Sequence, residues 1–276
     1  MARSIRDMVV LITGASAGIG KALAEALARD GAKLVLSARR VEMLESLNAS
    51  LGGEHLVVGC DVARPADCHR LIEQTHARFG RLDTLVCNAG YGIGRAVHET
   101  STHEMREIFA TNVFGTHECI RHAVPIMREQ TARDGWRGQV MIVSSAAARR
   151  GLVYFGAYAA TKAAQLSLAE ALRVELEADR IAVTSVHPVT TSSDFFATAE
   201  RLSGRRINVP GRTPLSQTVQ HVSRAMVRGI RRPSREVWPH APSRFLLSLA
   251  TIWPWAGDYV MRQVRATMDR PARADD

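Results

Sequence analysis

Lysine is nearly missing from this chain. Of its 36 basic residues only Lys21, Lys33 and Lys162 are lysine, and every other one is arginine. A guanidinium stays charged under all ordinary conditions, whereas an ammonium is readily moved towards neutrality by its surroundings. The ammonium kept at position 162, where this sequence otherwise has arginine, is therefore a candidate for chemistry. Cysteine is scarce too. Cys60, Cys68, Cys87 and Cys119 show no C-x-x-C or other ligand spacing, which excludes a zinc module and a disulfide framework and points to small buried residues in a reducing compartment, with no metal. Long apolar runs are also lacking. Arg3 and Arg6 precede one at residues 8–13, but it is too short for a signal-peptide core and leads into a glycine motif. It reads as a buried strand, and the protein as cytoplasmic.

The apolar fraction of 46% and charged fraction of 23% are those of a soluble globular protein, and the length suits one large α/β domain. The net charge of +9 is unevenly placed. Residues 1–200 balance, while residues 201–276 hold 14 arginines against five acidic residues, enough to account for all of it. The chain accordingly reads as a single domain, 1–276, with a cofactor-binding and catalytic core over 1–197 and a distinct basic segment over 198–276.

Residues 8–13 form a continuous apolar strand, followed by Thr13-Gly-Ala-Ser-Ala-Gly-Ile-Gly20 and an Ala/Leu-rich helix over 21–29. A strand, a glycine turn and a helix N-terminus make a pyrophosphate site, because glycines admit the ligand to the backbone and free N–H groups favour the anion. Gly14, Ser16, Gly18, Ile19 and Gly20 are the candidate contacts. The second strand, 33–37, runs into Ala38-Arg39-Arg40. An acidic residue there would select the ribose 2′-hydroxyl of NAD(H), whereas an arginine accommodates a 2′-phosphate. Arg39 and Arg40 thus favour NADP(H) over NAD(H). Further strands are expected at 55–59, 84–87, 139–143 and 182–187, alternating with helices at 65–79 and from about 102 to 133. Asn112, a polar residue inside the latter helix, is expected to be exposed or bonded locally. The glycine turn, Asp61, Asn88, Ser145 and Pro188 all fall at carboxyl ends of expected parallel strands, where open α/β sheets bind ligands.

Around Tyr158 the chain is again helical in composition, and Lys162 stands one turn on, with Cβ atoms roughly 5–6 Å away. The ammonium is expected to lower the tyrosine pKa and make it a proton donor or acceptor near neutrality.

In this order the motifs resemble those of the short-chain dehydrogenase/reductase family, over roughly residues 5–195. The resemblance rests on Thr13-Gly14-x-x-x-Gly18-Ile19-Gly20, Asp61-Val62, Asn88-Ala89-Gly90, Asn112, Ser145 and Tyr158-x-x-x-Lys162. It implies a doubly wound Rossmann-type parallel sheet of about seven strands, helices on both faces, and hydride transfer between a nicotinamide and an alcohol or carbonyl carbon. By the same resemblance Tyr158 would exchange the proton and Lys162 would bind the nicotinamide ribose. Ser145 would bond the reacting oxygen, and Asn112 would bend its helix and hold a water leading to Lys162. Asp61 and Val62 would hold the adenine, and Asn88, Ala89 and Gly90 would line the cleft. Ser144 rivals Ser145, but the family's thirteen-residue step to the tyrosine selects Ser145. Tyr154 rivals Tyr158 but has no lysine four residues on. Two positions depart from the family. Val189 follows Pro188 where glycine is usual, and Ser193 replaces a threonine; both remain candidate cofactor contacts. A homodimer or homotetramer is likewise implied by the resemblance alone.

Beyond residue 194 the resemblance loosens. Residues 198–214 read as a mobile, exposed segment, a helix is expected over 216–228, and 235–238 as a last edge strand. The apolar stretch 245–255 is broken by Pro254 and falls short of the roughly 20 residues that span a membrane. Packing on the core or on another subunit is favoured for it, ahead of peripheral membrane contact through 243–262 and of an anionic-substrate site; nucleic acid is not an expected partner. The leading reading is an oxidoreductase of a small, apolar alcohol, ketone or aldehyde. The alternatives are a cofactor-binding sensor or scaffold without chemistry, and a membrane-associated oxidoreductase of fatty-acyl or steroid-like lipids.

Overall fold

The computed structural model describes residues 2–192, 195–204 and 216–269. Its centre is the first strand, β1 (Val9–Thr13), every residue of which is buried. Because side chains alternate along a strand, Val9 and Leu11 enter one core and Val10 and Ile12 the other. A strand buried on both sides must be apolar throughout, which is what its sequence shows.

Six further strands join β1 in one parallel sheet: β2 (Lys33–Ala38), β3 (Leu56–Gly59), β4 (Thr84–Cys87), β5 (Gly138–Val143), β6 (Ile181–Val186) and, at the edge, β9 (Glu236–Val237). The spatial order is β3-β2-β1-β4-β5-β6-β9, with the reversal between β1 and β4. Helices α1 (Gly18–Arg29), α2 (Val41–Ser50) and α8 (Val219–Arg231) supply Leu23, Leu27, Leu44, Leu47, Val222 and Met226 to one face. Helices α3 (Pro65–Phe79), α5 (Gly115–Glu129) and α6 (Gly156–Glu175) cover the other with Leu71, Ile72, Ile120, Met127 and Ala169. This is the Rossmann-type doubly wound architecture expected from the motif order. The four cysteines are free and buried, as their spacing implied.

Three features differ from the sequence-based expectations. The long helix expected over 102–133 is α4 (Thr102–Phe109), a π-turn at Ala110–Phe114 and then α5, which stops at Glu129. Its start is set by a capping box, Ser101 with Glu104. Residues 198–203 are not a loose segment but part of helix α7 (Phe195–Ser203), whose Ala199 and Ser203 are buried; the remainder of that stretch, 205–214, lies outside the described residues. The helix expected from residue 216 starts at Val219, because Gln217–Thr218 (β8) pairs with Thr191–Ser192 (β7) and the Thr218 side chain accepts from His221 N.

The apolar C-terminal stretch folds into two helices, α9 (Ala241–Ile252) and α10 (Pro254–Met268), meeting at Trp253. Of the favoured expectation, packing on the core or on another subunit, the first is not what is found. Phe245, Leu246, Ile252, Trp253, Trp255 and Tyr259 are each more than half exposed. The hairpin is attached by polar contacts instead. Arg150 donates to Pro254 O and pairs with Asp258, and Tyr154 OH donates to Asp269 Oδ1 at 2.6 Å. Among the described residues no helix is long and apolar enough to cross a membrane.

Candidate active site

The glycine turn leaves β1 with Gly14 at φ +68° and Gly18 at φ +55°, left-handed values that suit glycine. A Cβ on Gly14 would stand 2.9 Å from Ala89 Cα, and one on Gly20 would stand 2.3 Å from Gly14 O. The turn is braced from β4. Asn88 Nδ2 donates to Thr13 O and Gly14 O, while Thr13 Oγ1 accepts from the amides of Asn88 and Ala89. Helix α1 begins beside this turn with no side-chain cap and no acidic residue in its first turn. Its leading amides and dipole are thus available to an anion, and the residues present fit the pyrophosphate of a dinucleotide. Ile19 packs against the core on the α1 face. Arg40 Nη2 donates to Ser16 Oγ at 3.3 Å, so the end of β2 and the glycine turn face one another. Arg39 beside it is exposed.

Further along the carboxyl edge, Asp61 Oδ1 accepts from Ala63 N, and Val62 is buried against Gly115. Pro188 O accepts from Ala146 N and from Ser145 Oγ. Val189 engages Gln217 Oε1 through its amide and Thr191 Oγ1 through its carbonyl. Ser193 lies outside the described residues.

Tyr158 and Lys162 both project from α6, and Ser145 follows β5. The Ser145 hydroxyl stands close enough to the Tyr158 phenol to favour its ionised form, while its Oγ accepts from Ala147 N and donates to Pro188 O. Ser144, the rival serine, turns away and donates to Lys162 O at 2.8 Å. Tyr154, the rival tyrosine, is occupied at the helical hairpin. Lys162 is 4% exposed, and its Nζ donates to Val143 O and Gln165 Oε1, both at 2.8 Å. A Cβ on Gly90 would sit 3.0 Å from Asn112 Oδ1 and 3.6 Å from Lys162 Nζ, so these groups share one small space.

The electrostatics differ from the sequence-based expectation. Burial pushes the Tyr158 phenol up to about 12, with the nearby Ser145 hydroxyl acting the other way. Burial also pushes the Lys162 ammonium down to about 7. The expected lowering of the tyrosine by the lysine is not seen. Nζ lies 5.6 Å from the tyrosine ring centroid and is directed at protein carbonyls rather than at the phenol oxygen. Desolvation of both groups outweighs their mutual effect.

Asn112 is also placed otherwise than expected. It is fully buried in the π-turn, and its partners are remote: it accepts from Tyr91 N and donates to Tyr91 O and Thr161 Oγ1. Four residues that the motifs did not signal complete the site. Thr161 and Gln165 sit on the buried stripe of α6, and a polar residue on such a stripe was the available clue. His187 holds Ser145 O through Nδ1 at 3.2 Å and stacks on Trp238 with centroids 4.4 Å apart. Phe195 of α7 lies against Tyr158, ring centroids 5.0 Å apart, and packs with Phe155 and Phe196. Nothing local in the sequence ties Phe195 to Tyr158.

A parallel sheet with a braced glycine turn and a serine, tyrosine and lysine at its carboxyl edge defines a dinucleotide-binding oxidoreductase fold. A family model described as short chain dehydrogenase matches residues 8–202, and the chain belongs to that family. It is 36% identical over 232 residues to an 11-beta-hydroxysteroid dehydrogenase A of Arachis hypogaea, covering 80% of this chain and 61% of that protein. It is 32% identical to an 11-beta-hydroxysteroid dehydrogenase-like 3 of Arabidopsis thaliana, covering 97% and 84%. Among solved structures, a 3-ketoacyl-(acyl-carrier-protein) reductase from Brucella melitensis, complexed with NADH, superposes with a TM-score of 0.75 at 27% identity, covering 85% of this chain and 97% of that one.

Proposed function

We propose that this chain is an NADP(H)-dependent oxidoreductase of an apolar alcohol, ketone or aldehyde, with Tyr158 as the proton-exchanging group. The observation that carries the reading is Ser145 beside the Tyr158 phenol, one helical turn from buried Lys162. Bound nicotinamide would supply the hydride. The Ser145 hydroxyl orients the reacting oxygen, and Tyr158 OH donates its proton to that oxygen as negative charge develops there. A charged Lys162 close to the bound ribose favours the phenolate left behind. Gly14, Ser16, Gly18, Ile19 and Gly20 would hold the pyrophosphate, Asp61 and Val62 the adenine, and Asn88, Ala89, Gly90, Pro188 and Val189 the remainder, with Ser193, outside the described residues, assigned to it by its place in the sequence. Arg39 and Arg40, standing where an acid would reject a 2′-phosphate, support NADP(H) over NAD(H). Phe155, Phe195 and Phe196 beside Tyr158 support an apolar substrate, and the names of the plant relatives agree with a steroid-like one. Exposed Phe114 and Val174, 61% and 74%, are apolar surface that a homodimer or homotetramer would cover.

A panel of ketones, aldehydes and alcohols followed by nicotinamide absorbance tests this. Tyr158→Phe is expected to abolish turnover while leaving cofactor binding intact. Arg39→Ala is expected to weaken NADPH by roughly tenfold or more, as loss of a charge-assisted phosphate contact does, and NADH much less. A variant tyrosine that keeps near-parental rates ends the mechanism, and equal losses for the two cofactors end the 2′-phosphate assignment.

A second reading adds to the first. The exposed Ile252, Trp253, Trp255 and Tyr259 of the α9–α10 hairpin favour peripheral contact with a membrane surface, from which an apolar substrate would be drawn.

A further inference from the structure

Between Lys162 and the π-turn lies a side chain that completes a closed set of hydrogen bonds. Gln165 is fully buried, one turn after Lys162 on α6. Its Oε1 accepts from Lys162 Nζ at 2.8 Å. Its Nε2 donates to Asn112 O at 2.6 Å and to Thr116 Oγ1 at 2.8 Å. Thr116 Oγ1 in turn donates to Asn112 O at 2.8 Å. The amide orientation follows from chemistry, since a lysine nitrogen has hydrogens to give and requires the oxygen end. Both amide hydrogens are then used, and the carbonyl of Asn112 already has two donors.

We infer that Gln165 is a positioning residue that ties the lysine nitrogen directly to the π-turn. The inference rests on the proposed function, because the lysine matters only if its tyrosine exchanges a proton. An amide in this arrangement has no spare hydrogen to pass along, and an amide nitrogen does not take up a proton near neutrality. It fixes Nζ and favours its charged form, and it does not conduct. Tyr158 is the titratable side chain facing Lys162 from its own helix. From the neighbouring elements the facing groups are neutral: Val143 O after β5, Asn112 of the π-turn, and the backbone of Gly90. Burial is what lowers the ammonium, with no carboxylate set against it. Gln165 Oε1 and Val143 O are therefore the polar groups that retain the proton on Nζ, and removing one must tell.

The near absence of lysine makes the test direct. With three lysines in the chain, and Lys21 and Lys33 exposed, ¹³C-labelled lysine gives three resolvable signals, and the buried one reports on Lys162 with no cofactor or substrate present. Gln165→Leu keeps the bulk but removes the acceptor, and should lower the Lys162 titration midpoint by roughly one pH unit; Gln165→Glu supplies a carboxylate and should raise it by roughly one to three. Where a carbonyl substrate is turned over, the alkaline limb of kcat/KM for reduction should move the same way in each variant, and Glu should restore most of the rate lost in Leu. A Lys162 midpoint unmoved in either folded variant overturns the inference; if Gln165→Leu fails to fold, Gln165→Glu alone decides. Midpoints that move in a protein with no carbonyl turnover would support the tie and count against the proposed function, so the two fail separately.

Discussion

Lys162 owes its place to chemistry that opposes folding. An unfolded chain holds that proton until about pH 10.4, whereas burial brings the folded value down to about 7. Between those limits the unfolded state binds more protons, so the stability of the native protein rises with pH, by up to about 1.4 kcal/mol per unit for one full proton. Below the folded value the penalty is present in full. Lys162→Met removes the titration, and the stability of the natural protein relative to that variant should climb from pH 6 to pH 9 in parallel chemical-denaturation curves. A constant difference across that range would show that Nζ is not desolvated in solution. Turnover should be lost in the variant at every pH. Tyr158, Lys162 and Ser145 were legible in the sequence because each is a specific functional group at a specific spacing. Gln165 and His187 were not, since a buried amide or imidazole becomes informative only once its partners, which lie up to 53 residues away in the chain, are placed.

Elements were easier to read than their interruptions. Strands buried on both faces announce themselves as apolar runs, and β4 and α3 begin and end where the sequence put them. Composition alone shows plain helix at Ala110–Phe114, and the bend at Asn112 is implied there only by the family resemblance, because the π-turn is held by Tyr91 and Thr161 rather than by anything local. Such bulges gather at functional sites, and this one carries Asn112 inward. The glycine turn is the opposite case, fully determined by its own residues and by Asn88. Gly14→Ala would force a side chain onto a left-handed backbone and place its Cβ 2.9 Å from Ala89 Cα. Destabilisation of about 1–3 kcal/mol is expected from such strain. Because β4 must shift to make room, NADPH affinity should fall with it. Thermal melts together with cofactor titration check both, and a variant with parental stability would mean that the turn is not held against β4 as described.

Over the whole molecule, charge and apolar surface converge on one end of the chain. The positive excess of residues 201–276 could be read from composition, but the posture of the apolar stretch among them could not, because hydrophobicity alone does not distinguish a core helix from an exposed one. The structure leaves residues 245–257, which contain no charged side chain, on a hairpin with Trp253 and Trp255 at its bend. Arg262 stands on α10 three residues after Tyr259 and seven after Trp255, on the same exposed face. Tryptophans at the bend with an arginine beside them suit the surface of an anionic bilayer. The hairpin hangs from Arg150 and Tyr154, which lie between Ser145 and Tyr158 in the chain, so a membrane beneath it would adjoin the substrate side. The intact protein should therefore float with vesicles containing phosphatidylserine and much less with phosphatidylcholine alone, and salt should weaken the association. Trp253→Ser with Trp255→Ser should reduce flotation at least tenfold, by removing two interfacial anchors, while leaving reduction of a water-soluble ketone unchanged. Equal flotation of parent and double variant would remove the membrane from the account, and a monomer–dimer equilibrium altered by the same two substitutions would assign the hairpin to a second copy instead.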